Sequence, residues 1–467
     1  MITARAFAGK HYAVYGLARS GLATVEALLA SGARVTAWDD KEEARAKLLP
    51  GTGRWQGEAL TEGGLSPARP PLHQPPAGPP PRSGEDLTIA NLDTADLTLF
   101  DSLVVTPGLP LNRHPIAQRA RDGGVEIIGD IELFARARPE LPPHKVVGIT
   151  GTNGKSTTTA LVHHILQTAG VPSTMGGNIG LPILAQDPLP DGGVYVLELS
   201  SYQLDLTQSL DCDVAVLLNI TPDHLDRYDT FEAYAASKAR LFEMQVAPDA
   251  SFGNALVVTS DEVTKRIGLD WGAIEIGADY LDPNIFGKQA DWPALQGPHN
   301  ALNAAAAAAA VFYADVVDYE AVRRALCTYP GLPHRMERIR EKNGVIFVND
   351  SKATNPTATA PALAAFEKIR WICGGQAKTD NLDECAPHFG HVRKAYTIGE
   401  ASELFASLLS PHMAVAMCQT LERALGEAAA EAESGDTVLL SPACASFDQF
   451  RDFEDRGDQF RAQVEGL

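Results

Sequence analysis

The segment Val146–Thr159, reading VVGITGTNGKSTTT, constrains this chain more than any other. Its apolar start, Val146 to Thr150, predicts a buried strand. Gly151-Thr152-Asn153-Gly154 then turns the chain, and Lys155-Ser156-Thr157 opens a helix expected to reach Leu166. Strand, glycine loop and helix N-terminus together make an anion cradle. Backbone N–H groups point into the loop, and the helix dipole favours negative charge there. In such loops the lysine reaches the terminal phosphates and the hydroxyl that follows ligates Mg²⁺. Gly151, Thr152, Asn153, Gly154, Lys155, Ser156 and Thr157 are therefore the candidate nucleotide-binding residues. Ile149 stands where the strict pattern has its first glycine, so the loop is a variant.

At 467 residues the chain is too long for one core, and several domains are expected. Its formal net charge of −20 argues against nonspecific nucleic-acid binding and against an anionic membrane surface. Any phosphate site must then be built locally. None of the six cysteines pairs as C-x-x-C or has zinc-finger spacing with histidine, so free thiols in a reducing compartment are expected. The sequence shows no signal pattern and no apolar run of membrane-spanning length, which predicts a cytoplasmic protein.

Ahead of the loop, His11–Ala18 reads as a strand entering the glycine turn Gly16-x-x-x-x-Gly21. A helix to Ser31 and a strand Arg34–Trp38 ending at Asp39-Asp40 complete a βαβ unit with acids at the end of its second strand. Ala18 replaces the glycine that lets a pyrophosphate approach the backbone. The unit is thus read as Rossmann-like, serving a nucleotide-linked ligand other than a dinucleotide. Leu65–Glu85 is Pro-rich and reads as an exposed insertion, with the fold resuming at Leu103.

Behind the loop, strands and helices alternate, which predicts largely parallel sheets. Val194–Leu199 is a strand carrying Glu198, and Ala215–Ile220 runs into Thr221-Pro222-Asp223-His224. Acid and imidazole thus sit at strand ends, where open α/β sheets bind ligands. Lys238 lies on a helix from Phe231 to Met244, and Gly297-Pro298-His299-Asn300 caps an alanine-rich helix. A last set of strands includes Val345–Asn349, Ile369–Cys373, Ala395–Ile398 and Thr437–Leu440, the last leading to Ser446.

GTNGKST, the Glu198 strand, the PDH turn, Lys238, GPHNALNA, GLPHR and NDSKATN occur in one order. That series resembles the Mur ligase family, ATP-dependent amide-forming enzymes of peptidoglycan precursor synthesis. GDIELF and the C-terminal SPACASFDQFRDFEDRG resemble its D-glutamate-adding branch. The resemblance covers the chain outside about residues 51–90.

The family implies an α/β fold of three domains. These are a Rossmann-like domain over 1–137, a central P-loop-type ATPase domain with a mostly parallel sheet over 138–331, and a Rossmann-like domain over 332–467. It implies ATP, two Mg²⁺ sites, the small-molecule substrates UDP-N-acetylmuramoyl-L-alanine and D-glutamate, and a monomer. Residue by residue, it implies ATP contacts from the loop and from Asn300, Arg335 and Asp350. It implies metal ligation by Ser156, Glu198, His224 and a carbamylated Lys238, with Lys155, His224 and Lys238 catalytic. The UDP-substrate residues are Arg19, Ser20, Gly21, Asp39, Asp40, Lys41, Thr106, Pro107, Gly108 and Asn178. Lys352, Thr354, Lys378, Ser446, Phe447 and Phe453 are assigned to D-glutamate.

Three rivals differ in what they require. A sister Mur ligase or a folylpolyglutamate-synthetase-like enzyme would lack the SPACASFDQF stretch. A nucleotide-binding module would bind without amino-acid-dependent turnover. A dehydrogenase built on the first domain would need a hydride-transfer constellation, and Ala18 disfavours it.

Overall fold

The computed structural model describes residues 1–48, 86–224, 227–245, 255–258 and 261–467. The Pro-rich stretch Leu65–Glu85, and Leu225-Asp226 after the PDH turn, lie outside them. The chain divides into two compact units. One comprises Met1–Lys145, Met175–Cys212 and Pro222–Val246, and the other Val146–Thr174, Asp213–Thr221 and Ala247–Leu467.

In the first unit, five parallel strands run in the order Leu87–Ile89, Arg34–Trp38, His11–Tyr15, Ser102–Val105, Glu126–Ile128. This is the Rossmann half-order, and all carboxyl ends lie on one edge. Leu87–Ile89 corrects the expectation that the fold resumes only at Leu103. Three residues suffice because an edge strand needs only one partner, here Val35 to Ala37. The core gathers Ala13, Leu103, Val105, Ile116 and Ala120.

In the second unit, Ile274–Ile276, Ala255–Val258, Val214–Leu217 and His144–Thr150 form a parallel set in that order. Helix Lys155–Thr168 follows the glycine loop and packs against Pro298–Tyr313, whose run Ala304–Ala310 is wholly buried. Small side chains allow that close approach. The strand expected to reach Ile220 stops at Leu217. Beyond it the backbone turns aside to brace the loop. Thr152 N donates to Asn219 O (2.8 Å), Asn153 N donates to Asn219 Oδ1 (2.8 Å), and Thr221 N donates to Thr152 Oγ1 (3.1 Å).

The second unit also carries a six-stranded sheet. Its order is Glu337–Lys342, Val345–Asn349, Thr437–Leu440, Ile369–Gly374, Val392–Ile398, Ala414–Gln419. Five strands are parallel, whereas Glu337–Lys342 pairs antiparallel with Val345–Asn349. That hairpin departs from the purely βαβ reading. Its signal was the two-residue Asn343-Gly344 loop, both residues at positive φ (52° and 77°), as a type I′ turn requires. Trp371, Leu439 and Phe405 fill one face of the sheet, and Ile372, Leu440 and Phe460 the other.

Candidate active site

The glycine loop opens onto a cleft of about 310 Å³ within the second unit. Asn153, Gly154, Thr157, Asn300, Arg335, Asp350 and Lys352 all line it, although they span 200 residues of sequence. Lys155 folds back over the loop, its Nζ donating to Gly151 O (2.9 Å) and Thr152 O (2.8 Å). Ser156 is buried beneath it. Gly154 has φ +84°, and a Cβ there would lie 2.3 Å from Asn303 Oδ1, so only glycine fits. Asn303 in turn donates through Nδ2 to Asn300 Oδ1 (3.1 Å), and Asn300 Nδ2 donates to Gln296 O (3.0 Å). The i, i+3 spacing of Asn300 and Asn303 puts both on one helix face. Asn300 is among the expected nucleotide contacts and Asn303 is not, although GPHNALNA carries that spacing.

Asp350 closes the far side of the cleft. Burial pushes its carboxyl up to about 7, against the bonds it accepts from Ser441 Oγ (2.7 Å) and Met336 N (3.1 Å). His299, another lining residue, is held down to about 4 by burial and is thus neutral near pH 7.

In the first unit, Glu198 ends the strand Gly193–Glu198 and is 2% exposed. Asn178 Nδ2 donates to its Oε1 (2.9 Å) and Asn178 N to its backbone oxygen (2.8 Å). That approach requires Gly177, at φ +89°, since a Cβ would stand 2.1 Å from Glu198 O. Glu198 Oε2 is buried with no hydrogen-bond partner among the described residues. A bare buried carboxylate oxygen is costly unless it meets a cation, so it fits a divalent metal.

Among the described residues no three His, Cys, Asp or Glu side chains form a ready-made cation cage. Mg²⁺ suits such a site, because it commonly takes one or two carboxylates and fills its shell with water and phosphate. His224 holds φ +54°, and its Nδ1 lies 2.9 Å from the Tyr202 hydroxyl. Lys238 is 2% exposed on the helix Phe231–Glu243, with Nζ 4.7 Å from the centroid of the Tyr234 ring.

Four of the residues assigned to the amino acid meet as two pairs in the C-terminal part. Lys378 Nζ donates to Thr354 Oγ1 (3.3 Å), and Lys352 Nζ sits 3.6 Å above the Phe453 ring. Ser446 is buried, and its backbone oxygen accepts from Gln449 N and Phe450 N. No helix opens at Ser446. The helix starts at Phe453, because Asp452 caps it through Asp455 N (2.8 Å). Phe447 stands apart, 69% exposed.

Arg456 was overlooked. It is fully buried and bridges the two loops of this region. Its guanidinium donates to Ser351 Oγ (2.9 Å), Ser351 O (2.8 Å) and Cys444 O (3.2 Å). Burial lowers its pKa to about 10, still charged at neutral pH. Arg456→Met strands those carbonyls in the interior, and we expect a loss of about 3 kcal/mol. The urea-unfolding midpoint checks this, and a midpoint equal to the parent's would contradict it.

At the Rossmann edge, Ser20, Gly21, Thr106, Pro107 and Asp130 meet around a cavity of about 10 Å³, space for one water. Arg19 Nη2 donates to Gly180 O (3.0 Å), and Pro107 O accepts from Arg227. Asp39 accepts from Leu17 N (2.7 Å) and Lys41 N (2.9 Å). Gly108 has open space where a side chain would be. Asp130, within GDIELF, is buried, and burial raises its carboxyl to about 6.

A phosphate loop, a buried metal-ready carboxylate and two lysines near one another's loops in the C-terminal part fit the class of ATP-dependent amide-forming ligases. Residues 149–273 match the Mur ligase middle domain, and residues 334–444 match the Mur ligase glutamate ligase domain. The chain belongs to the Mur ligase family. It is 56% identical to a UDP-N-acetylmuramoylalanine–D-glutamate ligase of Novosphingobium aromaticivorans, over 100% of this chain and 97% of that one. It is 55% identical to the like-named enzyme of Sphingopyxis alaskensis, over 100% of both.

Among solved structures it is similar to UDP-N-acetylmuramate-alanine ligase MurC from Thermotoga maritima. The TM-score is 0.53 at 17% identity, covering 98% of this chain and 99% of the other. MurF ligase from Thermotoga maritima, in complex with ADP, gives a TM-score of 0.52 at 18% identity over 76% of this chain and 92% of the other. At those identities the likeness is one of fold. Among the described residues no helix is long and apolar enough to cross a membrane.

Proposed function

We propose that this chain joins D-glutamate to UDP-N-acetylmuramoyl-L-alanine, with ATP converted to ADP and phosphate. The supporting observation is 50% to 56% identity, over the whole chain, to three enzymes named for that reaction. The chemistry follows from the substrates. A carboxylate repels an incoming amine, so its oxygen first attacks the γ-phosphorus of ATP and ADP leaves. The resulting acyl phosphate is an electrophile with a good leaving group. The D-glutamate amine attacks the carbonyl carbon, the tetrahedral oxyanion collapses, phosphate departs and the amine sheds a proton. Most of the first step is positioning and charge neutralisation.

Lys155 neutralises the β- and γ-phosphates, and the loop N–H groups from Gly151 to Thr157 cradle them. Asn300, Arg335 and Asp350 receive the nucleoside and its phosphates along the cleft. Bound Mg²⁺ would supply charge compensation on the transferring phosphoryl group. Ser156 is our candidate ligand on the nucleotide side. Glu198, His224 and a carbamylated Lys238 are the candidate ligands in the other unit, two Mg²⁺ in all.

Arg19, Ser20, Gly21, Asp39, Asp40, Lys41, Thr106, Pro107, Gly108 and Asn178 bind the UDP-linked substrate. Lys352, Thr354, Lys378, Ser446, Phe447 and Phe453 receive D-glutamate, whose two carboxylates call for the two lysines. We place the domain boundaries at residues 137 and 331, and the protein in the cytoplasm as a monomer.

Phosphate release with Mg-ATP and UDP-N-acetylmuramoyl-L-alanine tests the assignment. We expect release to depend on added D-glutamate. Release indifferent to D-glutamate, or faster with L-glutamate, would sink it.

A further inference from the structure

The loop that follows the strand Thr437–Leu440 carries a carboxylate with no role so far. Asp448 lies just past Ser446 and Phe447. Its Oδ2 accepts from Glu400 N (3.0 Å). Its Oδ1 is buried, with no hydrogen-bond partner among the described residues. The packing around it is tight enough to demand glycine. Gly399 stands at φ +66°, and a Cβ there would lie 2.1 Å from Asp448 Oδ2 and 2.8 Å from Gly375 Cα. The carboxylate is thus pinned where the parallel strands Ile369–Gly374 and Val392–Ile398 end. The carboxyl ends of strands in an open α/β sheet are where ligands bind.

The cations nearby are engaged elsewhere. Arg456 directs its guanidinium at Ser351 Oγ, Ser351 O, Cys444 O and Ala445 O (3.4 Å). Lys378 Nζ turns to Thr354 Oγ1. Lys378 and Asp448 nevertheless act on one common neighbour. Burial pushes the Cys444 thiol up to about 12, Arg456 and Lys378 pull it down, and Asp448 pushes it further up. The amino-acid residues and this aspartate therefore share one small region.

The charge pattern selects the occupant. An α-amino diacid brings two carboxylates and one ammonium at neutral pH. Lys352 and Lys378 answer the two carboxylates. Thr354, Ser446, Phe447 and Phe453 offer no anion for the ammonium. A carboxylate oxygen held bare in a buried setting does, because a charge-assisted N–H···O bond is roughly twice as strong as a neutral one. We propose that Asp448 Oδ1 receives the ammonium of the incoming amino acid, which makes Asp448 a substrate-binding and specificity-determining residue. This rests on the D-glutamate reading of these loops. Asp448 then separates amino diacids from plain diacids, which the two lysines by themselves would accept equally.

Glutarate, the same diacid without the ammonium, is the probe, and D-glutamate-dependent phosphate release by the full-length protein is the readout. Glutarate should inhibit the parent with an inhibition constant about tenfold or more above the KM for D-glutamate. Asp448→Asn keeps an oxygen for Glu400 N and removes the charge. It should raise the KM for D-glutamate by about tenfold, the scale of one charged hydrogen bond, while glutarate inhibits as well as before or better. The ratio of the two constants should therefore collapse. A merely structural Asp448 would weaken both ligands together. An unchanged ratio, in a variant whose thermal midpoint matches the parent's, would overturn the proposal. The parent decides independently of any variant, since glutarate bound as tightly as D-glutamate would overturn it too. Absence of D-glutamate-dependent release in the parent would overturn the D-glutamate reading itself, and the proposal with it.

Discussion

Lys155→Met is expected to lower D-glutamate-dependent phosphate release by about a thousandfold, the scale of removing one preorganised cationic donor from a developing charge. Lys155 supplies the positive charge of the glycine loop, and its Nζ already rests 2.8–2.9 Å from two loop carbonyls. The loop itself should persist. Asn219 and Thr221 hold it through Thr152 and Asn153, independently of the lysine. The deficit should therefore appear in kcat with an unchanged melting temperature. Lys155→Arg keeps the charge but replaces a compact ammonium with a planar fork, and should recover only part of the rate. Stopped or continuous phosphate assays decide it, and a loss of less than tenfold in the methionine variant would remove Lys155 from the chemistry.

Lys238→Ala should be nearly as severe, a loss of about a hundredfold or more, the scale of losing one electrostatic stabiliser. A lysine that is 2% exposed is unusual, because burying an ammonium is costly. Conversion to a carbamate would replace the buried cation by an anion whose burial a bound Mg²⁺ would offset, and would present oxygen, the donor that Mg²⁺ prefers. The alanine variant leaves a space of matching shape beside Tyr234. Added short-chain carboxylates should enter it and restore part of the activity, which a merely structural lysine would not allow. Activity equal to the parent's would overturn the role, and loss without rescue would overturn the carbamate.

Much of the fold was legible because its signals are local. An apolar run, a glycine turn and a helix start lie consecutively at Val146–Thr159, and the structure places strand His144–Thr150 and helix Lys155–Thr168 there. Thr437–Leu440 likewise begins and ends where its apolar run does. The misses were of two kinds. Some signals were local but went unused, as with Asn343-Gly344 and the Asn300–Asn303 spacing. Others are absent from any window of sequence. The stop of Val214–Leu217 short of Ile220 depends on Asn219 finding the loop at Asn153, 66 residues away.

The sequence alone determined the phosphate loop, the α/β alternation and the order of motifs that marks the family, since each depends on neighbours along the chain. Only the tertiary structure decided which polar atoms are satisfied and which are left for a ligand. Among the described residues Glu198 Oε2 has no hydrogen-bond partner while Asn178 holds the other oxygen, and Arg456 joins loops about a hundred residues apart. Hydrogen-bond satisfaction is a property of the packed interior, where each donor has few partners within reach. Residue order cannot count those partners, so the site's chemistry became readable only once the chain was folded.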